Sequence, residues 1–106
     1  MAKVIWEEEA RERELSILEY GRKNFGVHAS KKLYEKFKRA ETNLMGNPLI
    51  GMREVYLANR SHDYRSLFVP EYFKLVYYYD EMYDTVFISD VWDTRREPVV
   101  QAFRLS

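Results

Sequence analysis

The sequence predicts an α+β fold of two layers: an N-terminal strand, an antiparallel helix pair, and then an antiparallel meander packed against the helices. Three observations predict it. Apolar residues of the first half recur at helical intervals, the period changes to that of strands after Gly51, and short turns join the later segments. We expect residues 1–106 to form one domain, because a chain of 106 residues is long enough for one core and too short for two.

The first two elements are a short strand and a helix. Residues 3–6 alternate between apolar and polar and predict the strand, and residues 7–25 predict the helix. Three glutamates at 7–9 favour the positive end of the helix dipole, and Gly26 is a natural stop. The apolar stripe of this helix consists of Ala10, Ile17, Leu18 and Phe25.

A second helix has the clearer periodicity. Its lysines fall between the apolar positions and should face solvent. Gly46 and the following Asn47–Pro48 end it, because the residue before a proline resists helical geometry. A short connection predicts that the two helices pair antiparallel. The apolar face of this helix consists of Ala29, Leu33, Phe37, Ala40 and Leu44.

Four segments have the alternation of strands: residues 54–57, 65–69, 72–79 and 85–91. Pro70 cannot donate to a ladder and should mark a strand end or an edge. We expect the helices to cover the sheet face that carries Phe73, Leu75, Val86 and Ile88.

Composition narrows the classes of protein. The sequence has no cysteine and two separated histidines, so we expect no disulfide, no metal site and no cofactor. No apolar run approaches the ~20 residues of a membrane helix, and the acidic start is unlike a signal peptide. We therefore expect a cytoplasmic protein without a membrane partner. The formal net charge of zero is not the footprint of a nucleic-acid-binding domain.

A surface for a partner is predicted on the sheet face away from the helices. Aromatic side chains beside arginines suit a phosphate-bearing or acidic partner. A structural explanation stays open, because aromatic residues favour strands and the charges near the last strand could pair with each other. The predicted partner-binding residues are Tyr72, Lys74, Tyr78, Trp92, Arg95 and Arg96.

Five segments in this order, VIWEEEA, NPLIG, RSLFV, FKLVYYYD and ISDVWDTRREP, resemble the ParE/RelE superfamily of toxins from bacterial type II toxin–antitoxin modules, often labelled plasmid stabilisation system proteins. The resemblance spans nearly the whole chain. It implies a RelE/ParE-like toxin domain over residues 1–106 that binds a cognate antitoxin and inhibits growth. Members of the ParE type inhibit DNA gyrase, whereas members of the RelE type cleave messenger RNA on the ribosome.

The resemblance also suggests roles for residues. In a RelE-like ribonuclease Lys74 would hold the scissile phosphate, Arg65 and Arg95 would support it, and Asp93 is the candidate base. RelE-type members tend to carry a tyrosine or histidine near the end of the last strand, where this chain has Trp92 and Asp93. Tryptophan does not titrate near neutral pH. The sequence therefore favours a ParE-like toxin that docks on gyrase, with the messenger RNA endoribonuclease as the alternative.

The C-terminal tail is unusually apolar for a chain end. We expect it to contact the antitoxin, which could also cover the helix pair or the sheet edge. The alternative is that the tail folds back onto its own sheet. The apolar residues of the tail are Val99, Val100, Ala102, Phe103 and Leu105.

Overall fold

The computed structural model describes residues 1–105, and Ser106 lies outside the described residues. One five-stranded sheet has the order β1-β5-β4-β3-β2, in which β1 runs parallel to β5 and the other pairs are antiparallel. The predicted α+β architecture is confirmed. The elements are β1 (Lys3–Trp6), α1 (Glu8–Phe25), α2 (Val27–Gly46), β2 (Met52–Arg53), a 3-10 helix (Val55–Leu57), β3 (Arg65–Val69), β4 (Phe73–Asp80), β5 (Thr85–Asp93) and α3 (Pro98–Ala102).

Helices α1 and α2 cover one face of the sheet, which we call the inner face. Phe37 of α2 is fully buried there, and its ring lies 6.5 Å from that of Trp6 and 6.0 Å from that of Phe73. These aromatic contacts pack α2, and with it the helical layer, against β1 and β4. The inner face was predicted correctly, since the main core contains Phe73, Leu75, Val86 and Ile88.

The opposite, outer face of the sheet carries a second apolar cluster. The 3-10 helix and α3 lie over this face and bury part of it. The sequence did not predict this third partial layer. Its buried members are Leu57, Tyr64, Val76, Trp92 and Ala102.

Residues 54–57 do not form the predicted strand. Only Met52 and Arg53 pair with β3, and the chain then turns into the 3-10 helix. The reason is local, because the Glu54 carboxylate accepts a hydrogen bond from the backbone N–H of Tyr56 and caps the turn. The alternating residues 54–57 therefore form a capped turn and not a strand.

The C-terminal tail folds back onto the sheet, which was the alternative prediction. Ala102 is buried, and the Arg60 guanidinium donates to the carbonyl oxygens of Ala102 and Leu105 at 3.2 and 2.9 Å. Ala102 is therefore not open to an antitoxin, whereas Val99, Val100 and Phe103 remain exposed.

Candidate partner-binding surface

Lys74 projects from β4 onto the outer face, where it meets a buried acid. Its Nζ donates to Oε1 of Glu54, and the same oxygen accepts from Oγ of Ser66 at 2.6 Å. Burial opposes ionisation of Glu54, but the hydrogen bonds from Lys74 and Ser66 outweigh it, and the pKa of this carboxyl is lowered. Lys74 is therefore held in an ion pair.

The Lys74 ammonium has a second neighbour, the ring of Trp92, at 5.0 Å from the ring centroid. An anion that approached Lys74 would compete with the Glu54 carboxylate and would add negative charge beside it. The role of Lys74 as a phosphate anchor stays a prediction. Glu54 was not predicted to belong to the site, because in the sequence it is only an acidic residue next to a turn.

The placement of Trp92 on the partner surface was wrong. This side chain is 1% exposed, and its Nε1 donates to Oδ2 of Asp90 at 3.0 Å. Asp90 is buried as well and accepts from Nε of Arg104 at 2.9 Å and Nε of Arg13 at 3.3 Å. The tail that covers the outer face explains the error, because Trp92 lies beneath it.

Three other predicted residues do lie together in the open, and we call them the arginine patch: Tyr72, Arg95 and Arg96. The Arg95 guanidinium stacks at 4.1 Å from the centroid of the Tyr72 ring. It also donates through Nε and Nη2 to the two carboxylate oxygens of Asp93, each at 3.0 Å. Arg96 is further out, at 3.8 Å from the same carboxylate.

The pairing fixes the charge state of Asp93. Burial opposes its ionisation, but the hydrogen bonds and charge of Arg95 dominate, and the pKa of Asp93 is lowered. A carboxylate with a lowered pKa is a weak base near neutral pH. Its candidate role as a catalytic base stays a prediction that this electrostatic setting disfavours.

Tyr78 belongs to a separate aromatic cluster on the outer face. Its ring stacks on that of His62 at 3.7 Å with 3° between the planes, and on that of Phe87 at 5.1 Å. The cluster borders an open cleft of about 380 Å³ whose walls include Glu7, Glu8 and Arg104. Tyr78 is thus engaged by neighbouring rings and does not join the arginine patch.

Arg65 holds the backbone of the segment before β2. Its guanidinium donates to the carbonyl oxygen of Gly51 at 2.8 Å, while the Gly51 N–H donates to the hydroxyl of Tyr77 at 2.9 Å. A Cβ on Gly51 would lie 2.6 Å from the carbonyl oxygen of Ser66, so glycine is required there. Arg65 therefore has a structural role, and the structure does not bring it together with the arginine patch.

Residues 1–105 contain neither a metal-binding cluster nor a helix suited to a membrane. This part of the chain holds no group of three or more histidines, cysteines, aspartates or glutamates that could bind a metal ion. None of its helices is both long and apolar enough to span a membrane.

Comparison with solved structures identifies the fold. The chain is similar to one in a structure described as the chromosomal ParDE TA system from P. aeruginosa, with a TM-score of 0.70 and 13% sequence identity. The similarity covers 88% of this chain and 96% of that chain. No family model and no curated protein sequence matches. The chain thus has the RelE/ParE-like fold that the sequence resemblance implied.

Proposed function

We propose that this protein is the toxin of a type II toxin–antitoxin module, that it is ParE-like, and that it acts in the cytoplasm by binding and inhibiting a target such as DNA gyrase. A cognate antitoxin neutralises it. The observation that carries the proposal is the fold, which is shared over 88% of the chain with a chain of a ParDE TA system. The similarity takes in 88% of this chain and 96% of that chain, and the step from the shared fold to the function is the proposal.

The pairing of the candidate catalytic groups supports docking over catalysis. Lys74 and Asp93, the candidate phosphate anchor and base, are both paired with groups of opposite charge. The arginine patch is exposed, although Arg95 is itself paired with Asp93, and tyrosine and arginine side chains are the kind that dominate protein interfaces. We therefore place partner contacts at Tyr72, Arg95 and Arg96.

A supercoiling assay with purified gyrase tests the proposal. We expect the protein to inhibit supercoiling, and a stoichiometric amount of the antitoxin encoded beside it to restore activity. Induction of the protein alone should arrest growth. Normal supercoiling at micromolar protein would remove gyrase as the target, and normal growth would remove the toxin assignment altogether.

One observation favours the alternative of a RelE-like endoribonuclease. The Glu54 carboxylate and the Lys74 ammonium are adjacent, and activation of a ribose hydroxyl and stabilisation of a phosphate require a base beside a cation, although the lowered pKa of Glu54 weakens it as that base. Cleavage of messenger RNA on translating ribosomes that is lost in both Lys74→Ala and Glu54→Gln would establish this alternative. Intact message during growth arrest would exclude it.

A further inference from the structure

The ends of α1 and α2 that Gly26 joins are not packed into the core. Between residues 19 and 32, which we call the helical tip, no residue is buried. At the apex Gly26 joins α1 directly to α2 with φ of 95°, and a Cβ placed on it would meet nothing within 4 Å. The tip is therefore a projection into solvent, and the main core does not need it.

The helical tip carries large apolar side chains, which a projection into solvent does not favour. Phe25 and Val27 flank the apex glycine and are 71% and 69% exposed, and Tyr20 behind them is 64% exposed. The Tyr20 and Phe25 rings touch edge to face at 6.4 Å. Helical turns without tertiary packing are only marginally stable in water. Apolar side chains clustered on such an exposed helical end therefore indicate a surface for a partner.

Charge on the tip gives the chemistry of a partner. The tip has one acid, Glu19, and four bases, which gives a formal charge of +3 on a chain of net charge zero. Arg22 donates to Glu19 at 2.6 Å, and Lys23 lies 3.8 Å from it. Lys31 and Lys32 have no ion pair among the described residues and are exposed.

The arrangement favours a protein over a nucleic acid. At the apex the foremost side chains are Phe25 and Val27, and the bases stand behind them along both helices. Nucleic acids are bound mainly through phosphates, which would need the cations foremost. An apolar centre with a charged rim is the layout of protein interfaces.

We propose that the helical tip inserts into an acidic cleft with an apolar floor on the target protein. The inference rests on the proposed function and deepens it, because it names the contact that the toxin makes. Phe25 and Val27 fill the floor of the cleft, and Lys31 and Lys32 meet its acidic rim. We take the target, and not the antitoxin, as the occupant, on the formal charge of +3 and the exposed apolar apex of the tip, and the antitoxin affinity of the apex variant tests this choice.

The test compares two equally exposed pairs. Phe25→Gln/Val27→Gln removes the apolar side chains of the apex. The control, Met82→Gln/Tyr83→Gln, changes the turn between β4 and β5, where the side chains are 84% and 73% exposed. Neither pair is in the core, so both variants should keep the urea unfolding midpoint of the parent. We expect the apex variant to bind purified gyrase about tenfold more weakly or worse, and the control to change by less than about twofold. Antitoxin affinity should be unchanged in both.

Lys31→Glu/Lys32→Glu tests the rim. It should weaken gyrase binding and reduce the dependence of that binding on NaCl between 50 and 300 mM, because two charges are reversed. Lys36→Glu on the same helix serves as the charge control. A gyrase affinity in Lys31→Glu/Lys32→Glu equal to that of Lys36→Glu would remove the acidic rim from the inference.

The outcomes separate this inference from the proposed function. Full gyrase inhibition by Phe25→Gln/Val27→Gln overturns the inference and leaves the function standing. If the parent arrests growth without binding gyrase, loss of arrest in the apex variant supports the inference with another target, and retained arrest overturns it. If the parent does neither, both fall. Binding of a 30-base-pair DNA duplex that needs Lys31 and Lys32 but not Phe25 and Val27 overturns it in favour of nucleic acid.

Discussion

The two faces of the sheet are built on different physical principles, although the same strands form both. The inner face is packed with apolar side chains against α1 and α2. The outer face has a smaller apolar cluster and a ring of buried or half-buried ion pairs, among them Glu54–Lys74 and Asp90–Arg104. Apolar packing is non-directional, whereas buried charges stabilise only when each finds its partner. The ion pairs of the outer face therefore fix the positions of its charged side chains, and the apolar packing of the inner face supplies the stability of the fold.

The largest effect is expected on the inner face. Phe37→Ala should lower the free energy of unfolding by about 3–5 kcal/mol, because a fully buried ring between Trp6 and Phe73 leaves a cavity. Urea unfolding measures it. Phe68→Ala, at an exposed position of β3, is the control and should change it by less than ~0.5 kcal/mol. Equal effects of the two would mean that α2 does not carry the core.

The next effect is on the outer face. Lys74→Met should destabilise by about 2 kcal/mol at pH 7, because it leaves the buried Glu54 carboxylate without its cation. Adding Glu54→Gln should recover most of the loss. Failure of the second substitution to rescue the first would show that the lysine acts through packing on Trp92.

The pH dependence of Lys74→Met follows from the sign of the Glu54 shift. The pKa of Glu54 is lowered in the folded state, so its contribution to stability is present above the ordinary pKa of 4.5 and is lost as the pH falls through the folded value. The difference between parent and Lys74→Met should therefore be largest near neutral pH and shrink below about pH 4.5. A constant difference from pH 7 to pH 3 would contradict this.

A smaller effect is expected where the tail meets the sheet. Arg104→Met should cost about 1 kcal/mol, because Asp90 keeps its hydrogen bond from Trp92 and its contact with Arg13. Amide hydrogen exchange should accelerate in α3 and not in α2. Exchange that accelerates equally in both helices would mean that the tail is not a separable layer.

The smallest change in stability belongs to the arginine patch. Arg95→Ala should lower the free energy of unfolding by only about 0.5 kcal/mol, because the guanidinium is exposed and Asp93 keeps its hydrogen bond from the backbone N–H of residue 95. If this patch binds the antitoxin, its affinity should fall by about tenfold in the same variant. An unchanged affinity would move the antitoxin contact elsewhere, for which Val99→Ser/Val100→Ser is the next variant.

Periodicity predicted the inner layer well and the outer layer poorly. The alternation in β4 placed Phe73 and Leu75 in the core, because burial on one face leaves a period-two pattern in the sequence. Trp92 was misplaced because its burial depends on α3, which returns over the sheet from residues further along the chain. Phe25 and Ala29 were predicted to be buried and are exposed, since helical periodicity does not say where the sheet ends. The Glu54–Lys74 pair joins residues 20 apart in sequence, and no local pattern encodes it.

The parallel pairing of β1 with β5 has a consequence for the order in which the molecule can be made. Lys3 to Trp6 find their partners only at Thr85 to Ile88, so the first strand has no place in a sheet until the last strand has been synthesised. Helices α1 and α2 are adjacent in sequence and pack on each other, but α1 also packs on β5, and the pairing of β1 with β5 closes a loop of most of the chain. A nascent chain that stops at the β4–β5 turn therefore has β2, β3 and β4, but β4 lacks its neighbour β5 and β1 has no partner. The five-stranded sheet can therefore be completed only after residues 85–88 have been synthesised.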